Sequence, residues 1–337
     1  MLQAIAHRQP DFVPYHAEYS PGIKAATSRE LATDDLPTAT GDHLSRYSMR
    51  GKWTEVRPGF VQDDFGVVWD RTVDKDIGIA RPVLTTEDLE QVPWPTATSH
   101  HRLDGLEGFF RDAEKSGRFK CFGLALSLFE RAWALRGMEQ LLMDMLENPA
   151  FVDALLDRIL EHDLSMMDAV GNHPWDGVWI GDDWGQQHGL IMGIQLWRRF
   201  ILPRIRRMYE VAHSKGWIVI IHSCGDIVEL LPDLIEAGVQ VLNPFQPEAM
   251  DLVSVKREYG KDLTFLGGMS VQQVLPFGTP AQVRDESRRL LDQIGRDGGF
   301  IFAPSHMMTD DIPVANVMAM FEVIAVQNPQ TRWYSRT

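Results

Sequence analysis

Cysteine is scarce in this sequence: its 337 residues include two, Cys121 and Cys224. One disulfide is arithmetically available, but the disulfide framework of a small secreted domain is excluded. Long apolar runs are also missing, and the richest of them, Ile218–Ile221, is far too short to span a bilayer. The opening MLQAIAHRQPDFVP lacks the apolar stretch of a signal peptide. A reducing cytoplasm is therefore the expected compartment, with no membrane partner. Positive charge is in deficit, 33 Lys+Arg against 47 Asp+Glu for a net of −14. A surface this acidic repels phosphate backbones, so nucleic acid is not an expected partner either. There is no GxSxG elbow, no HExxH, no glycine–lysine phosphate loop, and no GxGxxG after an early strand. Serine hydrolase, zincin and common nucleotide-binding chemistries are thereby set aside. A small molecule, a metal or another protein is left as the partner.

What is present is an ordinary globular composition, 44% hydrophobic and 24% charged. The first 110 residues are punctuated by Pro10, Pro14, Pro21, Pro37, Pro58, Pro82, Pro93 and Pro95, and helix-period patterns there are short. FGVVW (65–69) and IGIARPVL (77–84) read as strands of a small ribbon. With no linker after it, region 1–110 is expected to elaborate a single domain spanning 1–337, whose main βα repeats occupy 111–337. From about residue 119, short apolar runs alternate with amphipathic segments: FKCFGLAL (119–126), GVWIGDD (177–183), WIVIIHSC (217–224), VQVLNPF (239–245), LTFLGGMS (263–270) and GGFIFAPS (298–305). VPYHAEY (13–19) is the expected first strand. Near-continuous apolar character fits parallel strands buried on both faces. Asn148–Pro149 and Thr279–Pro280 with Gln282 mark helix starts, and Ile227, Leu230, Leu231, Leu234 and Ile235 form one buried helical stripe. Repeated βα units with seven candidate strands point to an α/β fold of the TIM type, a (β/α)8 barrel with an irregular N-terminal elaboration.

In such folds function gathers at the C-terminal strand ends. His222-Ser223-Cys224 ends one run, and residues two apart on a strand project to the same side. An imidazole and a thiolate there suit Zn²⁺, which usually takes about three protein ligands at a catalytic site. His306 is the preferred third ligand; Asp182, Asp183 and Cys121 are the alternatives, although Cys121 alternates as a core residue. Asp182 and Asp183 are candidate acid/base carboxylates, with helix capping as the competing role. Trp184, Gln187, Asn243, Gln246 and Ser270 are expected to contact substrate. Phe129-Glu130-Arg131 reads as a hydrophobic wall with a charged clamp, unless Arg131 is spent in an ordinary ion pair.

GDDWGQQ (181–187), HSCGD (222–226), LNPFQPE (242–248), FLGGMS (265–270), LPFGTP (275–280) and APSH…DIPVAN (303–316) together resemble the uroporphyrinogen decarboxylase superfamily, over most of the chain. The likeness is to its corrinoid-dependent methyltransferase branch, and it implies a TIM barrel. The arginine segment with which true decarboxylases grip substrate carboxylates is RQPDFVPYH here, with no matching second arginine. The methyltransferase branch holds zinc with His-x-Cys and a later cysteine. His222 and Cys224 match the first part, and Ser305-His306 stands where the later cysteine would be. The resemblance implies a zinc-dependent methyltransferase moving a methyl group between a small substrate, such as a methoxylated compound, and a corrinoid. No DxHxxG carrier motif is present, so the corrinoid (cobalamin) would arrive on a separate protein. A homodimer is compatible with the resemblance. The competing activity is a decarboxylase or other lyase acting on a small carboxylated compound.

Overall fold

The computed structural model describes residues 1–49, 51–73, 77–98 and 102–328. Its frame is an α/β fold with a curled sheet of seven parallel strands. In chain order, and in the same order across the sheet, these are β1 (Leu44–Ser48), β2 (Phe119–Leu124), β3 (Gly177–Gly181), β4 (Ile218–His222), β5 (Val241–Phe245), β6 (Thr264–Met269) and β7 (Phe300–Pro304). Between them run α1 (Leu106–Ser116), α2 (Leu128–Arg136), α3 (Met138–Glu147), α4 (Pro149–Ala169), α5 (Leu202–Ser214), α6 (Leu231–Ala237), α7 (Leu252–Tyr259) and α8 (Pro280–Gln293), with α9 (Val314–Gln327) last. The start signals act as expected. Proline opens α4 and α8, and Thr279 with Gln282 closes a full capping box on α8. No helix among the described residues is long and apolar enough to cross a membrane.

One strand differs from expectation. The segment VPYHAEY forms only two isolated parallel bridges, Tyr15 to Phe302 and Tyr19 to Met308, while the first strand of the sheet is Leu44–Ser48. The 14–16 segment still lies against both ends of the sheet. Phe302 N–H donates to the Pro14 carbonyl, His16 N–H to the Phe302 carbonyl, and His43 N–H, beside β1, to the Tyr15 carbonyl.

Strand alternation divides the apolar residues into two cores. The larger lies between sheet and helices. The smaller is a layer inside the curl, built from Leu44, Phe119, Cys121, Trp179, Ile220, Val241, Leu266, Ile301 and Ala303, with Ile5 of the short Leu2–Ile5 helix joining it. Two residues further along several strands the inward positions turn small or polar: Arg46, Gly123, Gly181, His222, Asn243 and Gly268. Packing thus fills the inside below this level and leaves a polar floor above it.

The expected ribbon is a four-stranded antiparallel sheet of Thr54–Arg57, Phe60–Gln62, Val68–Asp70 and Ile79–Arg81. Buried Asp63 ties it to α2. It accepts Arg131 Nη1 at 2.6 Å, Trp69 Nε1 at 3.1 Å and the Phe65 and Val67 amides at 3.0 Å each, and the Arg131 guanidinium lies 4.0 Å above the Phe65 ring.

Candidate metal and substrate site

β4 delivers His222 inward, and Cys224 follows on the same side. His222 Nε2 and Cys224 Sγ stand 3.5 Å apart. From α9's approach, His306 completes a group of three whose ligand atoms all lie within 4.8 Å of one another. The tautomer of His222 follows from its neighbours. Asn243 Nδ2 donates to the Leu266 carbonyl at 3.0 Å, so the amide oxygen is the atom that faces His222 Nδ1, at 2.5 Å. Nδ1 therefore carries the proton, and Nε2 presents its lone pair toward Cys224.

The donor set fits zinc. Tetrahedral bonds of about 2.0–2.1 Å to nitrogen and about 2.3 Å to sulfur put the two donors roughly 3.5 Å apart. A ligating histidine also typically donates its other N–H to a fixed acceptor, the part Asn243 takes here. Replacing Asn243 by Ala is expected to weaken zinc binding about 10- to 100-fold, measured by competition with a chelator. Unchanged affinity would show that His222 is oriented by something else.

Asp183 borders this group. Its Oδ1 accepts the Cys224 amide at 2.8 Å and lies 3.8 Å from His222 Nε2. Burial pushes the Cys224 thiol up from its ordinary range, and Asp183 adds to the shift. Glu130, at the start of α2, lies beside the Asp183 backbone. Burial, then Asp183 and Asp182, push its carboxyl well above the usual range, favouring the protonated form. Two loops are fixed beneath the group by backbone contact: a Cβ added at Gly225, whose φ is +86°, would fall 2.4 Å from Gly185 C. Gln246 Oε1 accepts the Gly225 amide at 3.0 Å and so holds the same turn.

Several residues expected at the substrate have protein partners of their own. Asp182 is buried and accepts the Glu130 amide at 2.7 Å, the Phe129 amide at 3.1 Å and Trp184 Nε1 at 2.7 Å. It therefore caps the N-terminus of α2, whose own Ser127 makes no side-chain cap. Phe129, in the first turn of α2, and Trp184, in the loop after β3, are both wholly buried in the outer core. Arg131 is paired with buried Asp63. Gln187 is exposed, and its Nε2 donates to the Glu248 carbonyl at 2.6 Å. Buried Ser270 hydrogen-bonds the Glu248 carboxylate and accepts the Gln273 and Val274 amides at 2.9 and 3.1 Å. Cys121 sits in the lower apolar layer.

Sequence reading missed a charged cluster across Trp179 from His222. Arg46 Nη2 meets Glu18 Oε1 at 2.6 Å, and His16 lies 3.1 Å from Asp42 and 3.6 Å from Glu18. The Arg46 guanidinium rests 4.7 Å above the Trp179 ring, which also neighbours His16 at 6.0 Å and His222 at 6.4 Å between ring centroids. Burial alone would raise Glu18, but Arg46 and His16 hold it down to about 2; Asp42 likewise overcomes burial to lift His16 to about 9. The only available signal was the polar alternation Leu44-Arg46-Ser48, which does not look like a buried strand.

A sequence model of the uroporphyrinogen decarboxylase family matches residues 61–326. The chain belongs to the uroporphyrinogen decarboxylase family. Among its relatives, a methylated-thiol–coenzyme M methyltransferase from Methanosarcina mazei is 25% identical over 211 residues, 60% of this chain and 54% of that protein. A uroporphyrinogen decarboxylase from Methylococcus capsulatus is 24% identical over 189 residues, 55% of this chain and 51% of that one. The chain thus spans about half the length of the curated relatives it matches. A solved structure of a methyltransferase from Methanosarcina mazei superposes with a TM-score of 0.67 at 17% identity, covering 96% of this chain and 97% of that one. At that identity the likeness shows the shared fold.

Proposed function

We propose that this member of the family is a zinc-dependent methyltransferase that moves a methyl group between a small substrate and a corrinoid carried by a separate protein. The observation that carries this reading is the convergence of His222, Cys224 and His306 within 4.8 Å at the C-terminal strand ends. The 25% identity to a methylated-thiol–coenzyme M methyltransferase supports it. We read the chain as one cytoplasmic domain, with the 14–16 segment closing the curl into a (β/α)8 barrel.

Zinc held by these three residues supplies a Lewis acid that favours a bound thiolate or polarises a bound methyl donor. The chain's own residues do the rest. Asn243 keeps the His222 proton on Nδ1. Asp183 anchors the Cys224 backbone and places a carboxylate beside the histidine. Glu130 stands next to Asp183, and since burial favours its protonated form it is the candidate proton donor to a leaving group. Asp182 fixes the first turn of α2, and with it Glu130.

Zinc in the purified protein is to be measured by elemental analysis, alongside turnover of methylcobalamin with a panel of small thiols and of cob(I)alamin with methoxylated compounds, followed by cobalamin absorbance. One zinc per chain and zinc-dependent turnover are expected. Protein without stoichiometric zinc, despite zinc supplied during growth, would refute the reading and favour a carboxy-lyase, the activity named for the relative from Methylococcus capsulatus.

A further inference from the structure

Arg46 and Glu18 are odd residues to find inside a curled sheet. Arg46 shares the inward face of β1 with Leu44 of the apolar layer, yet 28% of its side chain is accessible, as is 33% of that of Glu18. An inward-facing ion pair with that much accessible surface borders open space. The chain makes room for it at Gly123, where an added Cβ would lie 3.3 Å from Arg46 Cδ and 2.9 Å from Ser48 Oγ. The pair is also held rigidly. Trp179 lies beneath the guanidinium, and both Arg46 Nη2 and His16 Nε2 approach the same Glu18 oxygen, at 2.6 and 3.6 Å. His16 is buried, with its Nδ1 taken by Asp42 at 3.1 Å and its Nε2 without a hydrogen-bond partner.

We propose that Arg46 and Glu18 form a second subsite, one indole ring away from His222, that binds a small carboxylate bearing a hydroxyl or amino group on the neighbouring carbon. The inference rests on the reading that the reacting end of the substrate sits at His222 and Cys224. Its chemistry follows from what the pair leaves unused. Among the described residues Glu18 is the one ion-pair partner of Arg46, and it engages a single Nη. The remaining N–H groups form a planar fork suited to a carboxylate. Glu18 has one oxygen shared by its cations and a second that is free to accept. A donor on the carbon next to the ligand's carboxylate would reach that oxygen while the carboxylate sits on the guanidinium. A bare cation would meet Arg46, and a bare anion would sit against Glu18 uncompensated. The combination therefore selects ligands that offer an acceptor and a donor side by side.

Glycolate and glycine, with acetate and ethylene glycol as controls, are to be titrated into the purified protein by calorimetry. Glycolate or glycine is expected to bind saturably and more tightly than either control. Arg46→Gln should weaken that binding at least roughly tenfold, as loss of a charge-assisted fork implies. Arg46→Lys, which keeps the charge but not the fork, should fall between, and it serves if the glutamine variant does not fold by circular dichroism. Glu18→Gln should erase the preference for glycolate over acetate. His222→Ala should retain glycolate binding, which separates the failure of this subsite from failure of the metal reading. Absence of saturable binding to wild type, unchanged affinity in Arg46→Gln, or loss of binding in His222→Ala equal to that in Arg46→Gln would each overturn the proposal.

Discussion

Cys224→Ser is expected to emerge from purification without zinc and to lose turnover by at least about 10³-fold, since a serine hydroxyl does not replace a thiolate at neutral pH. Elemental analysis and a methyl-transfer assay on the same preparation check both effects. The pH dependence should point the same way. Burial, with Asp183 behind it, favours the protonated thiol of Cys224 in the metal-free protein. Zinc must displace that proton, so affinity should rise with pH and fall in acid. His306→Ala is the informative companion. Loss of metal there makes His306 a ligand, whereas full zinc with impaired turnover would move it to the substrate. Full zinc in Cys224→Ser would remove the metal centre from this part of the fold.

Asp182→Ala should produce the largest loss of stability, about 3–5 kcal/mol, because three buried donors lose their acceptor at once. The Glu130 and Phe129 amides and the Trp184 indole all point to this one carboxylate. Urea denaturation compared with wild type gives the value, and a loss below about 1 kcal/mol would show that these donors find another acceptor. Burial lifts the Asp182 carboxyl to about 7, although its three donors oppose the shift. A carboxyl whose pKa is raised on folding binds more protons in the native state than in the unfolded chain. This group therefore favours the fold most below about pH 4 and loses that contribution as pH rises through about 7. Asp163, buried and lifted to about 7 by the same cause, acts in the same direction. Asp182→Asn should flatten part of that slope, since an amide does not titrate.

Much of this architecture could be read from the order of apolar runs, because strands buried on both faces leave continuous hydrophobic stretches. Six of the seven sheet strands lie within such runs. β1 was not visible because its inward positions beyond Leu44 are Arg46 and Ser48, which stay partly exposed instead of entering a core. VPYHAEY failed for the opposite reason. Val13, Tyr15 and Ala17 are buried, but its backbone pairs at only two points. At the site, His222 and Cys224 could be placed from spacing alone, since i and i+2 share a face of any strand. Phe129, Trp184 and Arg131 could not, because proximity to a strand end does not say which way the side chains of the following loop or first helical turn face. Glu18 and Asp42 acquire meaning only when Arg46 and His16, 28 and 26 positions away from their respective partners, fold beside them.

Gly123 on β2 and Gly181 on β3, in the floor of small residues above the apolar layer, differ in what they tolerate. At Gly123 a methyl group collides with Ser48 and crowds Arg46, so enlargement there would distort the wall itself. At Gly181 the same methyl group would meet nothing nearer than Ala125 Cα and the Leu124 carbonyl, both at 3.6 Å, an ordinary contact. On the proposed reading, with substrate above this floor, Gly181 is the position at which one added methyl group would narrow the space without a backbone clash.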